Sequence, residues 1–202
     1  ALTQLAEALR SPAFAALDGW SARGAAERAQ IACDAYRAAA GVLARSYLLP
    51  GPTGESNRYR LLPRGTVWAL PQTALGLVHQ VAAALASGNA CWLQAPNPGS
   101  AVALALAALP AEVREQVQVR PADDLVTEAA LSALLFEGDG DALHALLPRL
   151  AQRRGALVRV ENLSAAQLAD SATYDLSALV HEQSISTNTA AAGGNAQLMT
   201  MG

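Results

Sequence analysis

Lysine is missing from the 202 residues: all 14 basic side chains are arginine. That excludes a Schiff-base lysine, a P-loop lysine and any lysine acid or base. Aromatic residues are scarce, at 4%. Ala, Leu and Val must therefore fill the core, and Ala-rich segments favour helix. There are two cysteines, Cys33 and Cys91. One falls in a helical run and the other in an apolar strand, and both read as small buried hydrophobes. Two cysteines so far apart make no disulfide framework, so a reducing cytoplasm is the expected compartment. The net charge is −3 with no basic tract, which argues against a phosphate footprint and hence against nucleic-acid contact. No apolar run is long enough to span a bilayer. The first residues lack a basic region followed by an apolar one, so no signal peptide is read there. The sequence starts with Ala inside a helix pattern, and a piece of a longer polypeptide is expected.

What is present is a change of pattern along the chain. Residues 2–9 place Leu2, Leu5, Ala6 and Leu9 on one helical face. Residues 24–47 read as one long helix with an apolar stripe of Ile31, Ala35, Ala38 and Val42, flanked by Arg28, Asp34, Arg37 and Arg45. A Pro- and Gly-rich turn follows at 49–54, then a strand at 59–62. From residue 66 onward, short apolar strands (66–70, 90–93, 117–120, 133–136, 156–160) alternate with helices (73–86, 100–109, 123–131, 142–153). Strands that are apolar throughout, alternating with helices, predict a Rossmann-like α/β fold, a mostly parallel sheet covered by helices. The domain reading is a helical arm at 1–50, a turn and flap strand at 51–65, the α/β body at 66–183 and a tail at 184–202.

That tail reads SISTNTAAAGGNAQLMTMG and holds no charged side chain. Disordered tails are usually rich in charge. This one alternates hydroxyls with Ile185 and Asn188 in a short strand, passes a glycine turn and ends in Leu198, Met199 and Met201. Docking on a partner surface is expected, against the plainer reading of a frayed terminus.

Several stretches resemble a known family. Residues 65–96, with Ala86, Gly88 and Asn89 in an "AxGN" turn, are similar to the start of the nucleotide-binding domain of the aldehyde dehydrogenase superfamily. LLFEGDGD at 134–141 resembles that superfamily's later strand, whose glycine opens the helix near the cofactor pyrophosphate. With GPTGES at 51–56 and the tail, the likeness narrows to the C-terminal domain of long-form proline utilization A proteins, bifunctional flavoenzymes that oxidise proline to glutamate. The resemblance implies a parent polypeptide with proline dehydrogenase and glutamate-semialdehyde dehydrogenase domains. That parent is expected to use FAD and NAD and to form a homo-oligomer, with a peripheral membrane contact left open. It further implies that the tail covers the aldehyde dehydrogenase active site, completes a wall of the internal channel and supports that module. Asn188, Thr189, Gly193, Gly194 and Asn195 are the residues assigned to this lid.

The chemistry of a dehydrogenase is not found in these residues. Where the superfamily places a lysine on the adenosine ribose, the strand CWLQAP has Gln94. Glu137, Asp139 and Asp141 are expected to crowd the helix terminus that would hold a diphosphate, and like charges there oppose it. Residues 156–202 contain no cysteine to act as nucleophile, so Glu161 has nothing to activate. It reads as a strand-end carboxylate. His79, beside Val78 and Val81, reads as a packing residue. His144 and His181 have no partner at metal-ligand spacing. Trp20, Trp68 and Trp92 read as packing residues, and Asp123-Asp124 as a helix cap. No catalytic, cofactor-binding or metal-ligating residue is therefore assigned to this segment. Two alternatives stay open, a remnant that still binds NAD and an oligomerisation module.

Overall fold

The computed structural model describes residues 1–18, 20 and 24–189. In chain order its elements are α1 (Leu2–Ala8), α2 (Pro12–Ala15), α3 (Ala25–Leu43), β1 (Ser46–Leu49), β2 (Glu55–Pro63), β3 (Thr66–Leu70), α4 (Ala74–Ala86), β4 (Ala90–Gln94), α5 (Ala101–Ala108), α6 (Ala111–Arg114), β5 (Val117–Arg120), α7 (Asp124–Thr127), β6 (Leu131–Glu137), α8 (Gly140–Ala151), β7 (Arg159–Leu163), α9 (Ala165–Ala169), a 3-10 turn (Leu176–Leu179) and β8 (Val180–Asn188).

The five body strands form one parallel sheet in the order β5-β4-β3-β6-β7. This is the mixed α/β fold with a parallel sheet that the alternation predicts. Every residue of β3 is buried. Its side chains alternate between two cores, as the two-residue period of a strand requires. Val67 and Ala69 join the larger core with Leu77, Val81, Cys91 and Leu93 from α4 and β4. Trp68 and Leu70 join the smaller one with Leu125, Leu134, Phe136 and Leu146. Burying each such Leu or Phe contributes about 1.5–3 kcal/mol. Helix α4 carries the larger core because it is apolar almost all round. Its start is capped by Thr73, whose hydroxyl accepts from the Gly76 N–H at 2.9 Å. Past its end, Gly88 turns the chain at φ +73°, a left-handed conformation that glycine adopts at no steric cost.

Helix α3 differs from expectation twice. It stops at Leu43 rather than running on to residue 47, because Ser46–Leu49 leaves as β1 and pairs antiparallel with β2. Its expected apolar stripe also faces outward, with Ile31 51% and Val42 52% exposed. The inner face is Ala29, Ala32, Cys33 and Tyr36. In an alanine-rich helix both sets satisfy the helical spacing. Tyr36 decides between them, because its hydroxyl accepts from the buried Tyr174 N–H at 2.9 Å.

The remaining strands form a flap. β2 lies between β1 and β8, and all pairings are antiparallel. The β2–β8 ladder runs from Glu55↔Asn188 to Pro63↔Val180. The strand expected at 184–189 is thus the outer half of a longer one that begins at Val180. All four residues of β1 are exposed, and among the described residues no second layer covers that strand.

At its base the flap is stitched to the body by two residues. Arg64 donates its backbone N–H to Leu179 O (3.1 Å) and its Nε–H to Ala178 O (2.8 Å). Asn89, from the turn after α4, accepts from the Gly65 N–H at 2.8 Å and donates to Leu179 O at 2.9 Å.

Candidate functional site

In an open parallel sheet, ligands bind at the carboxyl ends of the strands where the connections diverge. Here β3 leads outward to β4 and β6 leads the other way to β7, so the divergence lies between β3 and β6. A cavity of about 590 Å³ opens there, lined by Leu70, Gln72, Gln94, Glu137, Asp139 and Arg149 among others.

Glu137 dominates this crevice and does not point where the sequence suggested. Only 1% exposed, it reaches across to the start of α4 instead of crowding the start of α8. Its carboxylate accepts from the Gln72 N–H (2.6 Å), the Thr73 N–H (2.9 Å) and the Thr73 hydroxyl (2.7 Å). The positive end of the α4 dipole favours a carboxylate in this position. Gly76, on the first turn of α4, leaves room for it; a Cβ there would collide with the Glu137 carboxylate. Asp139 caps α8, its carboxylate accepting from the Ala142 N–H at 2.8 Å.

A dinucleotide needs open N–H groups at these helix starts. Those of Gln72, Thr73, Gly76 and Ala142 already serve oxygens of the protein itself. Gln94 lines the crevice with no charge to offer. The residues present do not fit NAD.

Other candidate groups fall elsewhere. Glu161 lies in the middle of β7, opposite Leu135, and not at a strand end; it accepts from Arg159 Nε–H at 3.3 Å. Asp123 makes no side-chain cap bond, while Asp124 pairs with Arg120 at 3.0 Å. Arg120 also stacks its guanidinium 4.5 Å from the Trp92 ring centre and pairs with Glu128. Burial pushes both thiols, Cys33 and Cys91, up to about 12. At neutral pH neither presents the thiolate that nucleophilic catalysis needs. Among the described residues, no group of three His, Cys, Asp or Glu side chains is arranged to hold a metal, and no helix is long and apolar enough to cross a membrane.

His79 is a packing residue, 1% exposed, with Nδ1 3.5 Å from the Tyr36 hydroxyl. Burial lowers its pKa from 6.5 to about 4. The unfolded chain therefore takes up a proton below pH 6.5 while the folded chain does not until about pH 4. Stability should be fully present above pH 6.5, fall between 6.5 and about 4, and level off below, a loss on the order of 3 kcal/mol from this group. Urea unfolding across that range should show the slope, and His79→Leu should flatten it. An equal slope in the variant would reject the assignment.

Of the residues assigned to the lid, Asn188 is the last of β8, paired with Glu55. The Thr189 N–H donates to Gly54 O at 2.8 Å. Both sit at the flap tip beside the turn that joins β1 to β2. Gly193, Gly194 and Asn195 lie outside the described residues. The sequence reading saw Asn89 in its turn and Glu137 in its strand but missed what each holds. The one local signal was Gly76, a glycine in the first turn of an otherwise apolar helix.

A parallel sheet with its crevice at the β3/β6 divergence, and an Ala-x-Gly-Asn turn between α4 and β4 at the opposite end of the strands, is the fold of an aldehyde-dehydrogenase-like α/β domain. No protein-family model matches the sequence. The bifunctional protein PutA of Rhizobium meliloti is 38% identical over 187 residues, which cover 92% of this chain and 14% of that protein. The bifunctional protein PutA of Escherichia coli is 38% identical over 203 residues, covering 98% of this chain and 14% of its own. Among solved structures, a bifunctional proline utilization A (PutA) protein superposes with a TM-score of 0.59 at 24% identity, over 81% of this chain and 19% of that one. An aldehyde dehydrogenase from Brucella melitensis biovar abortus gives 0.62 at 18% identity, over 81% and 38%. At these identities the structures speak for the fold alone. The chain belongs to the PutA family, has an aldehyde-dehydrogenase-like fold, and spans 14% of the length of the two PutA relatives.

Proposed function

We propose that this domain is a non-catalytic C-terminal module of a bifunctional enzyme that oxidises proline to glutamate. Residues 184–202 cap the aldehyde dehydrogenase active site of the same polypeptide, help to enclose the channel for the semialdehyde and support that module. Its partners are the proline dehydrogenase and aldehyde dehydrogenase domains, which use FAD and NAD; this segment binds neither. The observation that carries the reading is the β2–β8 ladder. It holds Ser184–Asn188 along an exposed ribbon and sends the chain onward from the flap tip. The crevice, which a working dehydrogenase would use, is lined by Glu137, whose carboxylate takes the N–H groups at the start of α4, and both thiols are buried. Occlusion of an active site excludes water, retains a reactive intermediate and preorganises the loops around it.

The test is deletion of 184–202 from the full polypeptide. Aldehyde oxidation and coupled turnover should fall at least about tenfold, the equivalent of about 1.4 kcal/mol of transition-state stabilisation or more. Proline oxidation should stay within about twofold, well under 1 kcal/mol. Unchanged coupled turnover would end the proposal. An oligomerisation role is the second reading, favoured by the exposed edge strand β1 with Leu48 72% exposed. Sedimentation of the polypeptide with and without this domain separates the two. Under the lid reading the number of protomers does not change.

A further inference from the structure

Dinucleotide-binding sheets leave the first turn of a crevice helix open, so that its N–H groups can take a phosphate. In this chain the same turn is taken by a side chain from the neighbouring strand. All three groups that donate to Glu137 belong to the β3–α4 turn, and none is a cation. The bonds join residues 64 and 65 positions apart. They cross the gap between β3 and β6, where the connections of the sheet diverge. We propose that Glu137 is an internal stand-in for a ligand. Its carboxylate takes the seat of an anionic ligand at the start of α4, fastens the β3–α4 and β6–α8 loops together, and makes this end of the sheet independent of any cofactor.

Gly76 is the reciprocal half of this clasp. Glycine in a helix weakens it relative to alanine. Here the missing Cβ is the space into which the carboxylate fits. Thr73 completes the arrangement. Its hydroxyl donates to Glu137 and accepts from the Gly76 N–H, so one residue serves both as helix cap and as donor to the clasp. The carboxylate is buried and its charge is met by three donors, which is the condition under which a buried ion stabilises rather than disrupts.

The experiment is a double-mutant cycle in the full 202-residue chain, read by thermal unfolding. Glu137→Ala should lower the midpoint by roughly 5–10 °C. Sodium acetate at roughly 50 mM should lift the midpoint of that variant and leave the wild type unmoved. Gly76→Ala should lower the wild-type midpoint by a comparable amount, yet add almost nothing to Glu137→Ala, because the carboxylate it displaces is already gone. Titration of the wild type with NAD should leave its midpoint unchanged. If Glu137→Ala fails to fold, Glu137→Ser, which also removes the carboxylate from beside Gly76, takes its place in the cycle with Gly76→Ala. The proposal is overturned by additive effects of the two substitutions, by a Glu137→Ala midpoint within about 1 °C of wild type, by acetate that lifts both proteins alike, or by a NAD-dependent rise in the wild type. None of these readouts involves residues 184–202, so failure here is distinct from failure of the lid.

Discussion

Replacing Asn89 with leucine should cost about 2–4 kcal/mol and free the flap before the body unfolds. The side chain is 5% exposed and holds three places together. Its Oδ1 accepts from the Gly65 N–H at 2.8 Å, and its Nδ2 donates to Leu179 O at 2.9 Å and to the Ser87 hydroxyl at 2.8 Å. The amide orientation is set by those partners, since Gly65 offers a donor and Leu179 an acceptor. Leucine fills a similar volume and satisfies neither. A buried group left without a partner costs about 1–3 kcal/mol; the substitution orphans the Gly65 N–H, leaves Leu179 O with the Arg64 N–H as its remaining donor, and removes the contact to the Ser87 hydroxyl. Urea unfolding gives the size of the loss. Hydrogen exchange gives its place: amides of Val180–Asn188 should exchange ahead of those in β3 and β6. A loss below about 1 kcal/mol, or exchange that stays uniform, would show that the flap does not hang on this residue.

Trp68→Ala should be comparably damaging, at about 3–5 kcal/mol, while Trp68→Phe should cost only about 1 kcal/mol. Trp68 is fully buried in the middle of β3 and meets Trp92 edge-on, with ring centres 6.1 Å apart. It is the largest fully buried side chain of the smaller core. Alanine opens a cavity that the two-sided sheet cannot collapse into. Phenylalanine keeps one ring and also removes the indole N–H, which has no hydrogen-bond partner among the described residues. Relief of that unpaired donor offsets part of the lost contact area. Equal losses for the two substitutions, measured by urea unfolding, would mean that the unpaired N–H carries no cost.

The parallel sheet was legible because its strands need no context. Thr66–Leu70 and Ala90–Gln94 are short, nearly apolar runs closed by Pro or Gly turns, and a strand buried on both faces demands that composition. β7 was placed at 156–160 and lies at Arg159–Leu163. It is a half-exposed edge strand, so the apolar signal that located its neighbours is absent. Ser46 and Tyr47 were absorbed into the preceding helix and Leu49 into the turn, because only pairing with β2 makes Ser46–Leu49 a strand. The outward stripe on α3 was misread because alanine marks no face. The clasp was hidden for a related reason. The charge of Glu137 was counted correctly, but its direction depends on a helix start far upstream. Spacing along the chain carries no record of that partner. Asn188 and Thr189 were placed in an extended segment and lie in one or beside it.

The flap has a consequence for how the protein is made. β2 is synthesised early, and its second neighbour, β8, follows only after the whole parallel sheet has left the ribosome; Arg60 and Gln183, bonded across the ladder, are 123 residues apart. Closing so large a loop is slow and is rewarded only when both anchoring points are already in place. Those anchors, Arg64 and Asn89, belong to the finished body. Strand β8 therefore reports on the assembly of the parallel sheet that precedes it, and a body that has misassembled has nowhere to hang that strand.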